Sequence, residues 1–234
     1  MQGVMTVAGL TEDCGQRSER SSVRFDWGGA SGEPRRLNIA ESCRGSRVLG
    51  PGKRYAIWVQ GCPFRCPECV SADWQVLRPN RLIFLQDLVQ EILADPELEG
   101  LTLSGGEPML QPGACKQLIE GVRAVRPEFT LILYTGFSLA ELRAQGHPDR
   151  LGLLGKTDVL IDGRYQPEQN DNSGLRGSAN QRVHFLSDAY LKLGHAYFTE
   201  RPREVELHLR AEDVFMVGVP PNGLDAALRE MLSQ

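Results

Sequence analysis

Residues 58–70 read WVQGCPFRCPECV, three cysteines placed directly after an apolar run, and the rest of the chain is read outward from them. The run Tyr55–Gln60 predicts a buried β-strand. Cys62, Cys66 and Cys69 then follow in a CxxxCxxC pattern, with Gly61 allowing a tight turn before them. Thiolates this close together form a compact set of soft ligands, which select zinc, copper(I) or iron–sulfur clusters. A closed structural zinc site needs four ligands. A [4Fe–4S] cluster held by three cysteines leaves one iron open to an outside ligand. The cysteines alone leave two readings: an open cluster, and a zinc knuckle completed by a distant Cys43, Cys115 or His184.

Downstream, apolar runs alternate with helical patterns. Strands are expected at Leu101–Ser104, Thr130–Thr135, Asp158–Asp162, Val183–Leu186 and Val214–Val219. Helices are expected at Leu85–Leu93, Gly113–Val125, Leu139–Gln145 and Leu224–Leu232. Leu85, Leu88, Val89, Ile92 and Leu93 recur at helical spacing, as do Leu118, Ile119 and Val122. Alternation of strand and helix predicts an α/β fold whose parallel strands are covered by helices. In such sheets ligands gather at the carboxyl ends of the strands. The first four expected strands each end in a distinctive segment there: GCPFRCPECV, GGEP, TGFS and DGRY.

Composition bounds the alternatives. The chain has 234 residues, 41% hydrophobic and 24% charged, with a formal charge of −4. That size and balance suit one soluble domain, with no broad basic field for nucleic acid or anionic lipid. No apolar run is long enough to span a bilayer, and the first residues lack the pattern of a secretory signal. A cytoplasmic location is the default expectation, and there the six cysteines are expected as thiols or ligands rather than disulfides. Residues 1–36, rich in Gly, Ser, Arg and Glu, read as a loosely ordered leader with room for one edge strand from Val4–Val7 or Val23–Phe25; residues 37–234 read as the domain.

Ser104-Gly105-Gly106-Glu107-Pro108 follows the second strand. Two glycines let backbone come close to a ligand, and the Glu107 carboxylate or a backbone carbonyl can accept from an ammonium group. CxxxCxxC after the first strand and GGEP after the second together resemble the radical SAM superfamily. That resemblance implies a full or partial (βα)6 barrel, here a partial one. It implies a [4Fe–4S] cluster on Cys62, Cys66 and Cys69 and S-adenosylmethionine on its open iron. Gly105, Gly106 and Glu107 would help seat that cofactor, which is cleaved reductively to methionine and a 5′-deoxyadenosyl radical. The position before the third cysteine, aromatic and facing adenine in many members, is Glu68 here.

The segment from Leu37-Asn38-Ile39-Ala40 through Gly50-Pro51-Gly52-Lys53-Arg54 into the cysteine loop, with Asp162-Gly163 and Gly177-Ser178-Ala179-Asn180-Gln181-Arg182, resembles the activating proteins of anaerobic ribonucleotide reductases. This implies that the substrate is a backbone glycine of a separate glycyl-radical enzyme, with electrons from a flavodoxin- or ferredoxin-like donor. The chain departs from many such activators in carrying Val70-Ser71 after the last cysteine. Modification of a peptide, another protein side chain or a small molecule is the alternative within the superfamily. A non-catalytic zinc or iron–sulfur module is the alternative outside it.

Several residues carry two readings. Thr135 and Gly136 end a strand and could meet the cofactor, or form a plain turn with Ser138 as helix N-cap. Asp162 could accept from a ribose hydroxyl or order the Arg182 guanidinium, or could cap a turn. Asn180, Gln181 and Arg182 are expected to bind the ligand or dock the partner. His184 reads as a packed or solvent-facing strand residue, and His147, His195 and His208 are scattered. Cys14, Cys43 and Cys115 lack ligand spacing and read as ordinary thiols. Residues 201–210, rich in arginine, read as a solvated surface.

Overall fold

The computed structural model describes residues 35–211 and 213–232. The leader up to residue 34, with its candidate edge strand and Cys14, lies outside them. In chain order the strands are β1 (Arg36–Ser46), β2 (Arg54–Val59), β3 (Arg81–Phe84), β4 (Gly100–Gly105), β5 (Thr130–Thr135), β6 (Val159–Asp162), β7 (Arg182–Phe185), β8 (Val205–Leu209) and β9 (Val214–Gly218). The helices are α1 (Leu85–Leu93), α2 (Pro112–Arg123), α3 (Leu139–Gln145), α4 (Pro148–Leu154), α5 (Gly194–Thr199) and α6 (Leu224–Leu232).

Seven strands form one open sheet in the order β3-β1-β2-β4-β5-β6-β7, and β8 and β9 form a separate hairpin. Pairing is parallel from β2 through β4 and β5 to β6. These strands are apolar runs because both their faces are covered. Along β2, Tyr55, Ile57 and Val59 point into the core under α1 and α2, while Ala56 and Trp58 join a second cluster on the opposite face. Along β5, Leu131 and Leu133 join the first core, and Ile132 and Tyr134 join a third cluster with Phe198 of α5. The period of two along each strand thus serves two packed layers at once.

The helical faces match the spacing in the sequence. Leu85, Leu88 and Ile92 of α1, and Cys115, Leu118, Ile119 and Val122 of α2, are buried against the first core. The α3 helix starts with a reciprocal capping box: the Ser138 side chain accepts from the Glu141 amide at 3.1 Å, and Glu141 accepts from the Ser138 amide at 2.6 Å.

Three features of the sheet were not read from the sequence. Residues 36–46 form a long strand antiparallel to both β2 and β3; its register shifts and half-polar composition break the strand period. The strand at Arg182–Phe185 pairs antiparallel with β6, because the link between them holds only a short 3-10 turn at Pro167–Gln169 and no crossover helix. The last strand, β9, leaves the main sheet to pair with β8 within the stretch expected as solvated surface.

The amino-terminal ends of the parallel strands are tied by Arg54, which is fully buried. Its guanidinium donates to Thr102 Oγ1 at 2.8 Å, Leu101 O at 2.6 Å, Thr130 Oγ1 at 3.0 Å and Tyr190 Oη at 3.0 Å. One side chain therefore links β2, β4 and β5, with its charge dispersed over neutral acceptors. Replacing Arg54 with Met leaves several buried acceptors without a donor, each costing roughly 1–3 kcal/mol. A loss of about 3 kcal/mol in urea unfolding is expected, and an unchanged midpoint would show that the network is dispensable.

Candidate functional site

At the other end of the same strands, the loops after β2, β4, β5 and β6 surround a half-open cavity. It is lined by Cys62, Cys66 and Cys69, by Ser104 to Glu107, by Tyr134 to Gly136, and by Gly163, Arg164, Tyr165 and Gln181.

The cysteine loop is closed by its own backbone. Gly61 N donates to Trp74 O at 2.8 Å, and Cys62 N donates to Gln75 O at 3.0 Å. Between them the chain bends through Glu68, whose φ of 53° is left-handed, so the three cysteines face one side. Phe64 holds this loop to the end of β5: its ring packs edge-on against Phe137 at 4.8 Å, and the Arg164 guanidinium lies 4.5 Å from its centroid. Trp74 anchors the far end against Trp58 at 5.9 Å.

The three thiols are half-buried and free of disulfides. Burial pushes the Cys62 thiol up to about 12, opposed by the amide of Phe64. Burial also raises Cys66, opposed by the amide of Tyr165. Amides aimed at sulfur are what bound thiolates require, and such hydrogen bonds tune iron–sulfur centres. The donor set therefore fits a cluster held at three points. Cys43, Cys115 and His184, weighed as fourth ligands for zinc, do not line this cavity. Cys43 lies against the β8–β9 hairpin, Cys115 is buried on the inner face of α2, and His184 Nε2 sits 3.0 Å from Asp162 Oδ2.

The GGEP segment packs on the cysteine loop. Gly106 N donates to Val59 O at 2.7 Å, and Glu107 N donates to Gly61 O at 2.8 Å. A Cβ on Gly106 would stand 2.2 Å from Gly61 O, and one on Gly105, whose φ is +102°, would stand 2.5 Å from Val59 N. These glycines serve backbone-to-backbone contact between two loops as well as access to the cavity.

Glu107 is 1% exposed. Its Oε1 accepts from Met109 N at 2.9 Å and Thr135 Oγ1 at 2.8 Å, and its Oε2 accepts from Gly136 N at 2.8 Å. The carboxylate thus clamps the end of β4 to the end of β5. Burial outweighs these donors and raises its pKa to about 7.

Of the residues singled out in the sequence, the three cysteines, Gly105, Gly106, Glu107, Thr135, Gly136 and Gln181 meet at the cavity. Asp162 lies one residue before it and accepts from Leu139 N at 2.5 Å, at the start of α3. Arg182 is an exposed residue of β7 opposite Asp162 in the register. Glu68 faces a neighbouring open hollow that shares Cys69 and Tyr165 with the cavity. Sequence reasoning did not single out Phe64, Tyr134, Arg164 or Tyr165; the last two sit in the DGRY segment already marked by its position after β6.

Residues 48–184 match the family described as 4Fe-4S single cluster domain. The anaerobic ribonucleoside-triphosphate reductase-activating protein of Vibrio cholerae is 37% identical over 147 residues, covering 58% of this chain and 90% of that relative. The protein of the same name from Enterobacteria phage T4 is 31% identical over 150 residues, covering 62% and 92%. That of Escherichia coli K12 is 32% identical over 146 residues, covering 59% and 92%.

Two outcomes follow from the geometry. Gly106→Ala forces its Cβ onto the Gly61 carbonyl and should cost about 1–3 kcal/mol and lower the iron retained per chain; full iron at unchanged stability would contradict the contact. Glu107 has a folded pKa near 7 against an ordinary value of 4.5, so it favours the fold fully below 4.5 and loses that contribution as pH rises through 7. The stability difference between wild type and Glu107→Gln, measured by denaturation from pH 4.5 to 8, should therefore shift against the wild type on the order of 1–3 kcal/mol as pH rises. A pH-independent difference would place the carboxyl outside a desolvated site.

Proposed function

The chain belongs to the 4Fe-4S single cluster domain family and is a relative of anaerobic ribonucleoside-triphosphate reductase-activating proteins, and from this premise we propose that it is a radical SAM activating enzyme that installs a glycyl radical on a separate partner. The observation that carries the reading is the meeting of three half-buried thiols and the GGEP loop around one cavity. We read the four parallel strands, whose carboxyl ends form that cavity, as the partial barrel of this superfamily.

Cys62, Cys66 and Cys69 would hold a [4Fe–4S] cluster with one iron left open. The chemistry that such a cluster supplies when bound is one-electron reduction of S-adenosylmethionine to methionine and a 5′-deoxyadenosyl radical. The protein's work is binding, orientation and exclusion of water. The Ser104–Gly106 backbone and Thr135 form the wall on which the methionine end of the cofactor would rest. Glu107 holds that wall in place through Thr135 and Gly136. Arg164, exposed at the mouth and stacked on Phe64, offers a cation for the cofactor carboxylate.

A glycine of the partner suits the chemistry, because two flanking amides stabilise a radical at its Cα. The hollow beside Cys69, bordered by Glu68, Asp73, Tyr165, Arg203 and Pro220, provides a route by which an extended loop reaches the cavity. A flavodoxin- or ferredoxin-like protein supplies the electron.

Under anaerobic conditions, reconstituted protein given reductant and S-adenosylmethionine should release 5′-deoxyadenosine, and Cys66→Ala should reduce it to background. Addition of an anaerobic ribonucleotide reductase should yield a glycyl-radical signal by electron paramagnetic resonance. Protein that holds zinc and never a four-iron cluster would overturn the reading.

A further inference from the structure

The β8–β9 hairpin packs on the sheet face opposite α1 and α2, where Phe215 and Val217 join Cys43, Ala56 and Trp58 in one apolar cluster. At the rim of this cluster three donor atoms converge. Cys43 Sγ on β1 lies 3.7 Å from His208 Nε2, and that nitrogen lies 3.4 Å from Glu206 Oε2. All three ligand atoms fall within 4.8 Å of one another. Glu206 and His208 are two apart on β8 and so share a face of the strand.

Hydrogen bonding alone uses this set incompletely. One ring nitrogen carries either a proton or a lone pair, so it satisfies only one of its two neighbours. A single cation would satisfy all three. With metal bonds of about 2.3 Å to sulfur and about 2.0 Å to nitrogen and oxygen, tetrahedral angles place sulfur and nitrogen about 3.5 Å apart, and nitrogen and oxygen about 3.3 Å apart. The observed sulfur–nitrogen and nitrogen–oxygen separations of 3.7 and 3.4 Å lie close to these values. The other Glu206 oxygen accepts from Arg47 N at 2.8 Å, which fixes the direction of the free one. Arg210, the adjacent cation, is engaged by Glu41 at 2.9 Å and by the Phe215 ring at 4.2 Å.

We infer that Cys43, Glu206 and His208 form a binding site for a zinc-class divalent cation that clasps the C-terminal hairpin to β1, with water in the fourth position. Thiolate, imidazole and carboxylate together suit zinc, and the half-exposed imidazole leaves a way in from solvent. As the metal–sulfur bond forms, the thiol proton passes to solvent and no group changes oxidation state. Cys43 and His208 are 165 residues apart in sequence, so only the assembled fold brings them together. All three residues lie outside the matched segment 48–184. None of the three lines the cluster cavity, and the test does not depend on radical chemistry.

Anaerobically reconstituted full-length protein, with its iron–sulfur cluster in place, is titrated with Zn²⁺ or Co²⁺, desalted, and analysed for metal per chain. Wild type should keep about one zinc per chain beyond its iron. With cobalt it should show thiolate-to-metal charge-transfer absorption, and its thermal midpoint should rise with zinc. His208→Ala should bind roughly tenfold more weakly or worse and lose the absorption and the thermal shift. Should His208→Ala fail to fold, judged by iron content and circular dichroism, Glu206→Gln keeps the acceptor for Arg47 N and carries the same comparison. No zinc retained by wild type, or equal zinc in the folded variants, overturns the inference.

Discussion

The Glu107 amide reaches the Gly61 carbonyl at 2.8 Å, and the rest of the site hangs on that short bridge between two loops. It sets the cysteine loop against the end of β4 at a distance that no side chain on Gly106 would permit. From there the Glu107 side chain continues the chain of contacts to Thr135 and Gly136 on β5. Phe64 closes the circuit by returning from the cysteine loop to Phe137 just beyond β5. Three adjacent strand ends are thus coupled through backbone amides, one buried carboxylate and one aromatic pair. Displacing any one of them moves the others, because protein interiors are close-packed.

The parallel strands have two unlike ends. At their start, Arg54 is spread over neutral oxygens of neighbouring strands and has no carboxylate partner among its hydrogen bonds. At their finish, a buried carboxylate is surrounded by amide and hydroxyl donors. Both ends bury charge by hydrogen bonding. The first end knits three strands together at their start, and the second frames the cavity at their finish.

Much of the site was legible because its signals are local. CxxxCxxC and GGEP are short runs whose chemistry depends on neighbours in sequence, and each follows a strand whose apolar run stands out. DGRY was marked by position, yet Arg164 and Tyr165 gave no sign of their contacts with Phe64 and Cys66. Strand β1 escaped because Asn38, Glu41, Ser42 and Arg44 interrupt its apolar alternation, and its register shifts besides. Strand direction escaped too, since Arg182–Phe185 has the composition of a core strand whichever way it runs. The meeting of Cys43 with His208 has no local trace, because it is made by tertiary packing alone.

Closure of the cysteine loop by Gly61 and Cys62 against Trp74 and Gln75 uses only protein atoms. Those two backbone bonds fix both ends of the loop, so part of the entropy of closing it is met by the fold itself. A cluster on these thiols, as proposed, would then sit in a frame whose span is set by main-chain atoms and not by the metal bonds alone.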